Sequence, residues 1–129
     1  MKKILIVTAN YYPEISTQLE SYAIKTLSNF DCKKIYSPGV FEIPVLISKN
    51  INFFDGFVAL GCVIKGETPH FDFISSSVTS GIMQLSVQNK KPIGNGILTC
   101  LNKEQANARV KKGIEAAEAV INVIENVAE

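Results

Sequence analysis

Tryptophan is absent from the 129 residues, and the chain holds only one histidine, one arginine and three cysteines. Each scarcity removes a class of protein. Cys32, Cys62 and Cys100 are odd in number and follow neither a CxxC nor a Cys/His spacing, so a disulfide framework and a bound metal are not expected. No apolar stretch approaches the ~20 residues of a membrane span. Met1-Lys2-Lys3 is followed by only a short apolar run, Ile4 to Val7, with no small-residue cleavage site, so a signal peptide is not expected either. Reduced thiols and a cytoplasmic location are the expectation. Charge of one sign is also lacking: 13 basic against 12 acidic residues leave +1, with no basic stripe and no acidic tail. Neither nucleic acid nor an anionic membrane is an expected partner.

What the chain does have is apolar content, 47% against 19% charged, at a length suited to one globular domain over residues 1–129. Apolar runs at Lys3–Ala9, Lys34–Ser37, Phe57–Ile64 and Pro92–Thr99 read as strands. The first and third are apolar almost throughout, the pattern of parallel strands covered on both faces. Between them Pro13–Phe30, Phe41–Ile51, Pro69–Gln88 and the tail from Glu104 carry apolar residues at helical spacing, with Ile114, Ala117, Ile121 and Ile124 on one side of the tail. Strands alternating with helices predict an α/β layer fold with right-handed crossovers, whose ligands bind beyond the carboxyl ends of the strands. Those ends are Ala9–Tyr12, Ser37–Glu42, Gly61–His70 and Asn95–Thr99, and the unusual residue clusters fall there.

The richest cluster is Gly61-Cys62-Val63-Ile64-Lys65-Gly66-Glu67-Thr68-Pro69-His70-Phe71-Asp72. It leaves a strand, crosses two glycines and enters a helix, with Thr68 suited to an N-cap and Pro69 to the first helical position. A helix start after a glycine loop offers free N–H groups to a small anion. Neither a P-loop nor a dinucleotide fingerprint is present. His70, the only histidine, is either an ordinary packing residue or a proton carrier beside that anion site. Ser37-Pro38-Gly39-Val40-Phe41-Glu42-Ile43-Pro44 reads as a tight turn into a helix, and Glu42 either complements the helix dipole or accepts hydrogen bonds from ligand hydroxyls. Tyr11 and Tyr12 follow the first strand, where one ring can stack on a planar ligand or staple the next helix. Arg109, the only arginine, suits bidentate phosphate binding, and Lys112 lies close behind it.

Three blocks in order, PGVFEIP (Pro38–Pro44), ALGCVIKGETPHFD (Ala59–Asp72) and GILT with EQANAR (Gly96–Thr99, Glu104–Arg109), resemble the lumazine synthase family, and the similarity runs from Ile4 to about Ala117. The resemblance implies a three-layer flavodoxin-like sandwich with a four-stranded parallel sheet. It also implies a transferase of riboflavin biosynthesis that condenses 5-amino-6-(D-ribitylamino)uracil with 3,4-dihydroxy-2-butanone 4-phosphate, without cofactor or metal.

By motif position it assigns Tyr11 to pyrimidine stacking and Phe41 and Glu42 to the ribityl chain, with Val40 beside them among the expected substrate-binding residues. It assigns Cys62, Val63 and Ile64 to the pyrimidine border, Gly66, Glu67 and Thr68 to the phosphate loop, Arg109 to the phosphate, and His70 to proton transfer. Lys112 matches the lysine of the family's NKG or DKG segment. Three departures stand out: Asn95 replaces a phenylalanine common in the family, Glu67 puts a carboxylate in the phosphate loop, and the segment from Arg109 to Gly113 is short.

The resemblance further implies a homopentamer with sites between subunits. The small-residue run Ser75, Ser76, Ser77, Thr79, Ser80 and Gly81 suits packing around a ring axis, and the short segment before Gly113 argues against a sixty-subunit shell. Rival readings are an archaeal-type riboflavin synthase, a lumazine or flavin carrier, and a flavodoxin-like signalling module. The last lacks the acidic cluster of a receiver domain.

Overall fold

A computed structural model describes residues 1–67 and 69–128. Four parallel strands, β1 (Lys3–Ala9), β2 (Asp31–Ser37), β3 (Gly56–Ile64) and β4 (Ile93–Cys100), form one sheet in the order β2-β1-β3-β4. Helices α1 (Pro13–Thr26), α2 (Ile43–Asn50), α3 (His70–Asn89), α4 (Lys103–Asn107) and α5 (Lys112–Glu125) cover it. On one face Ile4, Ile6, Val58, Leu60 and Leu98 pack against Ile15 and Leu19 of α1 and Ala117 and Val120 of α5. On the other, Leu5, Val7, Phe57 and Ala59 meet Ile43 and Ile47 of α2 and Val78 and Ile82 of α3. The result is the expected flavodoxin-like α/β sandwich: strand side chains alternate between two apolar faces, and each face requires its own helical cover.

The differences from the sequence reading are local. β2 begins at Asp31, three residues before the expected Lys34, because its backbone pairs with β1 from Lys3↔Asp31 onward whatever its side chains are. As an edge strand it leaves Lys33, Lys34 and Tyr36 exposed, so it never shows a continuous apolar run. α1 stops at Thr26, and the Phe30 N–H closes a turn on the Leu27 carbonyl. A single 3-10 turn at Val40–Glu42 precedes α2.

The tail divides into two helices, and α5 buries Gly113, Ala116, Ala117 and Val120, leaving Ile114 and Ile121 only partly covered. Small residues decide that orientation. A Cβ at Gly94 of β4 would lie 2.1 Å from the Ala116 carbonyl oxygen, so the helix rests directly on the glycines of the strand. Asn95, expected at the carboxyl end of β4, pairs with Ala59 in mid-strand. α3 is the lightly covered helix: only Val78 and Ile82 are buried along it, while Phe73, Met83 and Val87 are exposed.

Candidate active site

The carboxyl ends of β1, β2 and β3 converge through close contacts. The Asn10 N–H donates to the Ser37 carbonyl at 3.2 Å, extending the β1–β2 ladder one step past β1. The Ser37 hydroxyl donates to the Gly39 carbonyl, fixing the turn that follows. Val40 then folds its side chain inward onto Gly61, where a Cβ would meet Val40 Cγ1 at 2.8 Å and Ala9 Cβ at 3.0 Å. Val40 is accordingly buried. With Val40 turned in, Phe41 is turned out and is 58% exposed. Glu42 Oε1 lies 3.3 Å from the position of a Cβ on Gly39, so the carboxylate curls back over the Pro-Gly turn. Phe41 and Glu42 line a hollow of about 410 Å³ with Pro44, Val45, Ser77 and Val78.

Tyr11 projects from the β1–α1 loop, 70% exposed, and meets Tyr12 edge to face with centroids 4.9 Å apart. Tyr12 packs against the α1/α5 core, and its phenol is pushed up by burial first, then by the neighbouring Tyr11, Cys62 and Glu14. The β1 loop and the end of β3 are therefore neighbours. Cys62 and Ile64 turn toward the α1/α5 face and Val63 toward the other. The Cys62 thiol is pushed up to about 11, by burial first and then by Cys100 and Glu14, so it is neutral at physiological pH.

Beyond β3, Lys65 N–H donates to the Cys100 carbonyl at 2.9 Å and carries the pairing with β4 one residue further. Gly66 has nothing within 4 Å of a built Cβ, and Glu67 is exposed. Thr68, the expected N-cap, lies outside the described residues. α3 starts at His70, with Pro69 as the flanking residue whose carbonyl accepts from Asp72 and Phe73 N–H groups. His70 is exposed at this helix start.

Asn95, Arg109 and Lys112 form a second group. They line one groove of about 580 Å³ along the open edge of β4, with Ile97, Thr99 and Glu115 also on its wall. None of Tyr11, Phe41, Glu42 or Gly66 lines that groove. The Asn102 side chain caps α4 by accepting from Gln105 N–H, and α4 then delivers Arg109, whose Nη1 donates to the Gln105 carbonyl at 3.2 Å. Lys112 Nζ lies 3.8 Å from Glu115 Oε1. Asn95 Oδ1 accepts from the Ile97 N–H at 3.0 Å, so its amide leans along its own strand.

The expected residues thus fall into two sets on one chain, one at the ends of β1–β3 and one on the β4 edge. Two further contributors had no role in the sequence reading. Lys103 Nζ sits 5.5 Å from the centroid of the Tyr12 ring and 3.6 Å from Glu14 Oε1. The Ser16 hydroxyl, from α1, donates to Asn10 Oδ1 at 2.8 Å. Lys103 reads as a solvated helix charge in sequence and Ser16 as a polar interruption of an apolar stripe, so only the fold reveals their partners.

A family model described as 6,7-dimethyl-8-ribityllumazine synthase matches residues 1–128. Proteins named 6,7-dimethyl-8-ribityllumazine synthase from Bartonella bacilliformis, Bdellovibrio bacteriovorus and Corynebacterium kroppenstedtii are 43%, 41% and 36% identical to the chain. These alignments cover 94%, 95% and 97% of this chain and 87%, 73% and 84% of the respective relatives. A match over nearly the whole length, at these identities, settles the relationship: the chain belongs to the 6,7-dimethyl-8-ribityllumazine synthase family.

Proposed function

We propose that the chain condenses 5-amino-6-(D-ribitylamino)uracil with 3,4-dihydroxy-2-butanone 4-phosphate to give 6,7-dimethyl-8-ribityllumazine, inorganic phosphate and water. The observation that carries the reading, beside the family relationship, is the convergence of Tyr11, the Phe41–Glu42 turn and the Cys62–Ile64 strand end at one end of the sheet. The exposed Tyr11 ring stacks on the pyrimidine. Glu42 accepts hydrogen bonds from the ribityl hydroxyls beside Phe41, while the backbone of Cys62, Val63 and Ile64 borders the pyrimidine edge.

The phosphorylated ketone binds at Gly66, Glu67 and Thr68, the motif position of the family's phosphate loop, ahead of the N-terminus of α3, whose free N–H groups favour an anion. Glu67 points its carboxylate away from that anion. Arg109 clamps the phosphate, since a guanidinium fork fits two phosphate oxygens. Lys112 adds positive charge beside it.

The chemistry needs proton transfers more than it needs a strong nucleophile. The substrate amine adds to the ketone carbonyl and the adduct loses water as an imine. Elimination of phosphate follows, and attack by the second nitrogen closes the ring with loss of a further water. His70 carries protons among these steps. Holding two reactants face to face supplies the larger share of the rate, because it replaces diffusional encounter with fixed orientation.

Residues 1–129 act as one unit, in the cytoplasm, as a homopentamer. Exposed Phe73, Met83 and Val87 along α3 support that assembly, since a lightly covered apolar helix invites a second copy. The separation of Asn95, Arg109 and Lys112 from the other set supports an active site completed by the neighbouring copy, with Asn95 beside the pyrimidine. The short link from Arg109 to Gly113 favours a free pentamer over a closed shell.

The test is the rate of lumazine fluorescence when purified protein meets both substrates, measured against a protein-free control. Acceleration that requires both substrates supports the reading. A rate equal to the control, with lumazine still bound, turns it toward a carrier.

A further inference from the structure

We infer that Asn10 is a positioning residue for Tyr11, held from two sides by Ser16 and Ser37, and that this brace tunes recognition of the pyrimidine substrate; the inference rests on the synthase reading above. Asn10 is the first residue beyond β1 and directly precedes the exposed Tyr11. Its backbone is fastened to β2, through the N–H donated to the Ser37 carbonyl at 3.2 Å. Its side chain is fastened to α1, through Oδ1 accepting from the Ser16 hydroxyl at 2.8 Å.

Both partners are buried: Ser16 is 1% and Ser37 2% exposed. A buried hydroxyl needs a partner, so Ser16 has a strong reason to hold Asn10 where it is. Ser37 in turn donates to the Gly39 carbonyl, at the turn over which Glu42 curls. One chain of hydrogen bonds therefore runs from α1 through the Tyr11 loop to the Glu42 turn. Those are the two segments that face the ribitylaminouracil in the proposed site. Among the described residues, no bond of this chain reaches Gly66, Glu67 or Arg109, which face the phosphorylated ketone in the proposed site.

The consequence is selective. Loosening the brace lets Tyr11 and Glu42 drift relative to each other, which weakens binding of the pyrimidine equally in ground and transition states. Such a loss raises KM for that substrate and leaves kcat nearly unchanged. Asn10→Ala removes the acceptor, whereas Asn10→Asp retains an oxygen that the Ser16 hydroxyl can reach. Asn10 is exposed, so neither change empties the core.

Steady-state kinetics on wild type, Asn10→Ala, Asn10→Asp, Ser16→Ala and the Asn10→Ala/Ser16→Ala pair test the inference. The expected result is a KM for ribitylaminouracil about fivefold higher in Asn10→Ala, an unchanged KM for butanone phosphate, and recovery in Asn10→Asp. The double variant should be no worse than the more impaired single one, because both remove the same bond. Should Ser16→Ala fail to fold, the two Asn10 variants decide alone. An unchanged pyrimidine KM in Asn10→Ala, or equal rises for both substrates, overturns the inference while leaving the synthase reading intact. A wild-type protein that does not accelerate the condensation removes both.

Discussion

Val40 Cγ1 rests against Gly61 so closely that a methyl group on the glycine would lie 2.8 Å away, with Ala9 Cβ at 3.0 Å on its other side. This contact joins the end of β3 to the turn that presents Phe41 and Glu42, and it works because Gly61 has no side chain. Gly61→Ala is expected to cost about 1–3 kcal/mol of stability through overpacking and to push the turn outward. Chemical denaturation measures the first effect. A higher KM for ribitylaminouracil, measured on the folded fraction, reports the second.

Gly113 fills a comparable role on the opposite face. A Cβ there would lie 2.3 Å from the Leu19 carbonyl oxygen of α1, a backbone atom with little room to move. Alanine favours a helix interior by ~1 kcal/mol over glycine, yet overpacking against backbone should outweigh that gain. Gly113→Ala is therefore expected to destabilise the protein by up to about 2 kcal/mol net, seen as a lower melting temperature. The start of α5 should also shift, altering the groove shared by Lys112 and Arg109.

Cys62 makes stability depend on pH in the alkaline range. Its thiol is raised from an ordinary 9.0 to about 11, by burial before the nearby Cys100 and Glu14. Below pH 9 both folded and unfolded chains hold the proton, and the contribution is fully present. Between about 9 and 11 the unfolded chain loses its proton first, so stability falls as pH rises. Melting temperatures at pH 8 and pH 10.5 should differ more in wild type than in Cys62→Ala. Equal differences would show that the thiol is not the source.

Arg109 is expected to act on one substrate. In the proposed site Arg109→Ala would remove the guanidinium fork on the phosphate, and it should raise KM for butanone phosphate by at least about tenfold, with the pyrimidine KM unchanged. Arg109→Lys should recover only part of the loss, since a lysine cannot offer the planar fork. Folding should survive, because among the described residues the side chain is held by a single hydrogen bond, from Nη1 to the Gln105 carbonyl, at the exposed end of α4.

How much of this was legible in the sequence follows from what each residue touches. β3 was plain, because both its faces are buried and its residues are apolar throughout. β2 was half hidden, since a backbone ladder with β1 holds Asp31–Lys33 without any apolar signal. The sequence places Ala117, Ile121 and Ile124 on the covered side of α5 and all three pack on the core, but the closest approaches fall to small residues that a stripe of large side chains does not mark, Ala116 over Gly94 and Gly113 against Leu19. Tyr11, Phe41, Glu42 and His70 are candidates in the sequence because they fall in the segments that follow its apolar strands. The meeting of Asn95 with Arg109 and Lys112 in one groove could not be read, because it depends on how α4 and α5 fold back over the β4 edge. Nor could the Ser16–Asn10 bond, whose partners are joined only once α1 docks on the sheet.

The most direct test of the account is complementation between two defective chains. Glu42→Ala damages the pyrimidine half of the proposed site and Arg109→Ala the phosphate half, and each alone should be slow. Unfolded together in equal amounts and refolded, the two chains should regain lumazine formation up to about a quarter of the wild-type rate, because one subunit contact in four then joins two intact halves. A mixture that never exceeds the average of its two parents would contradict a site shared between neighbouring copies.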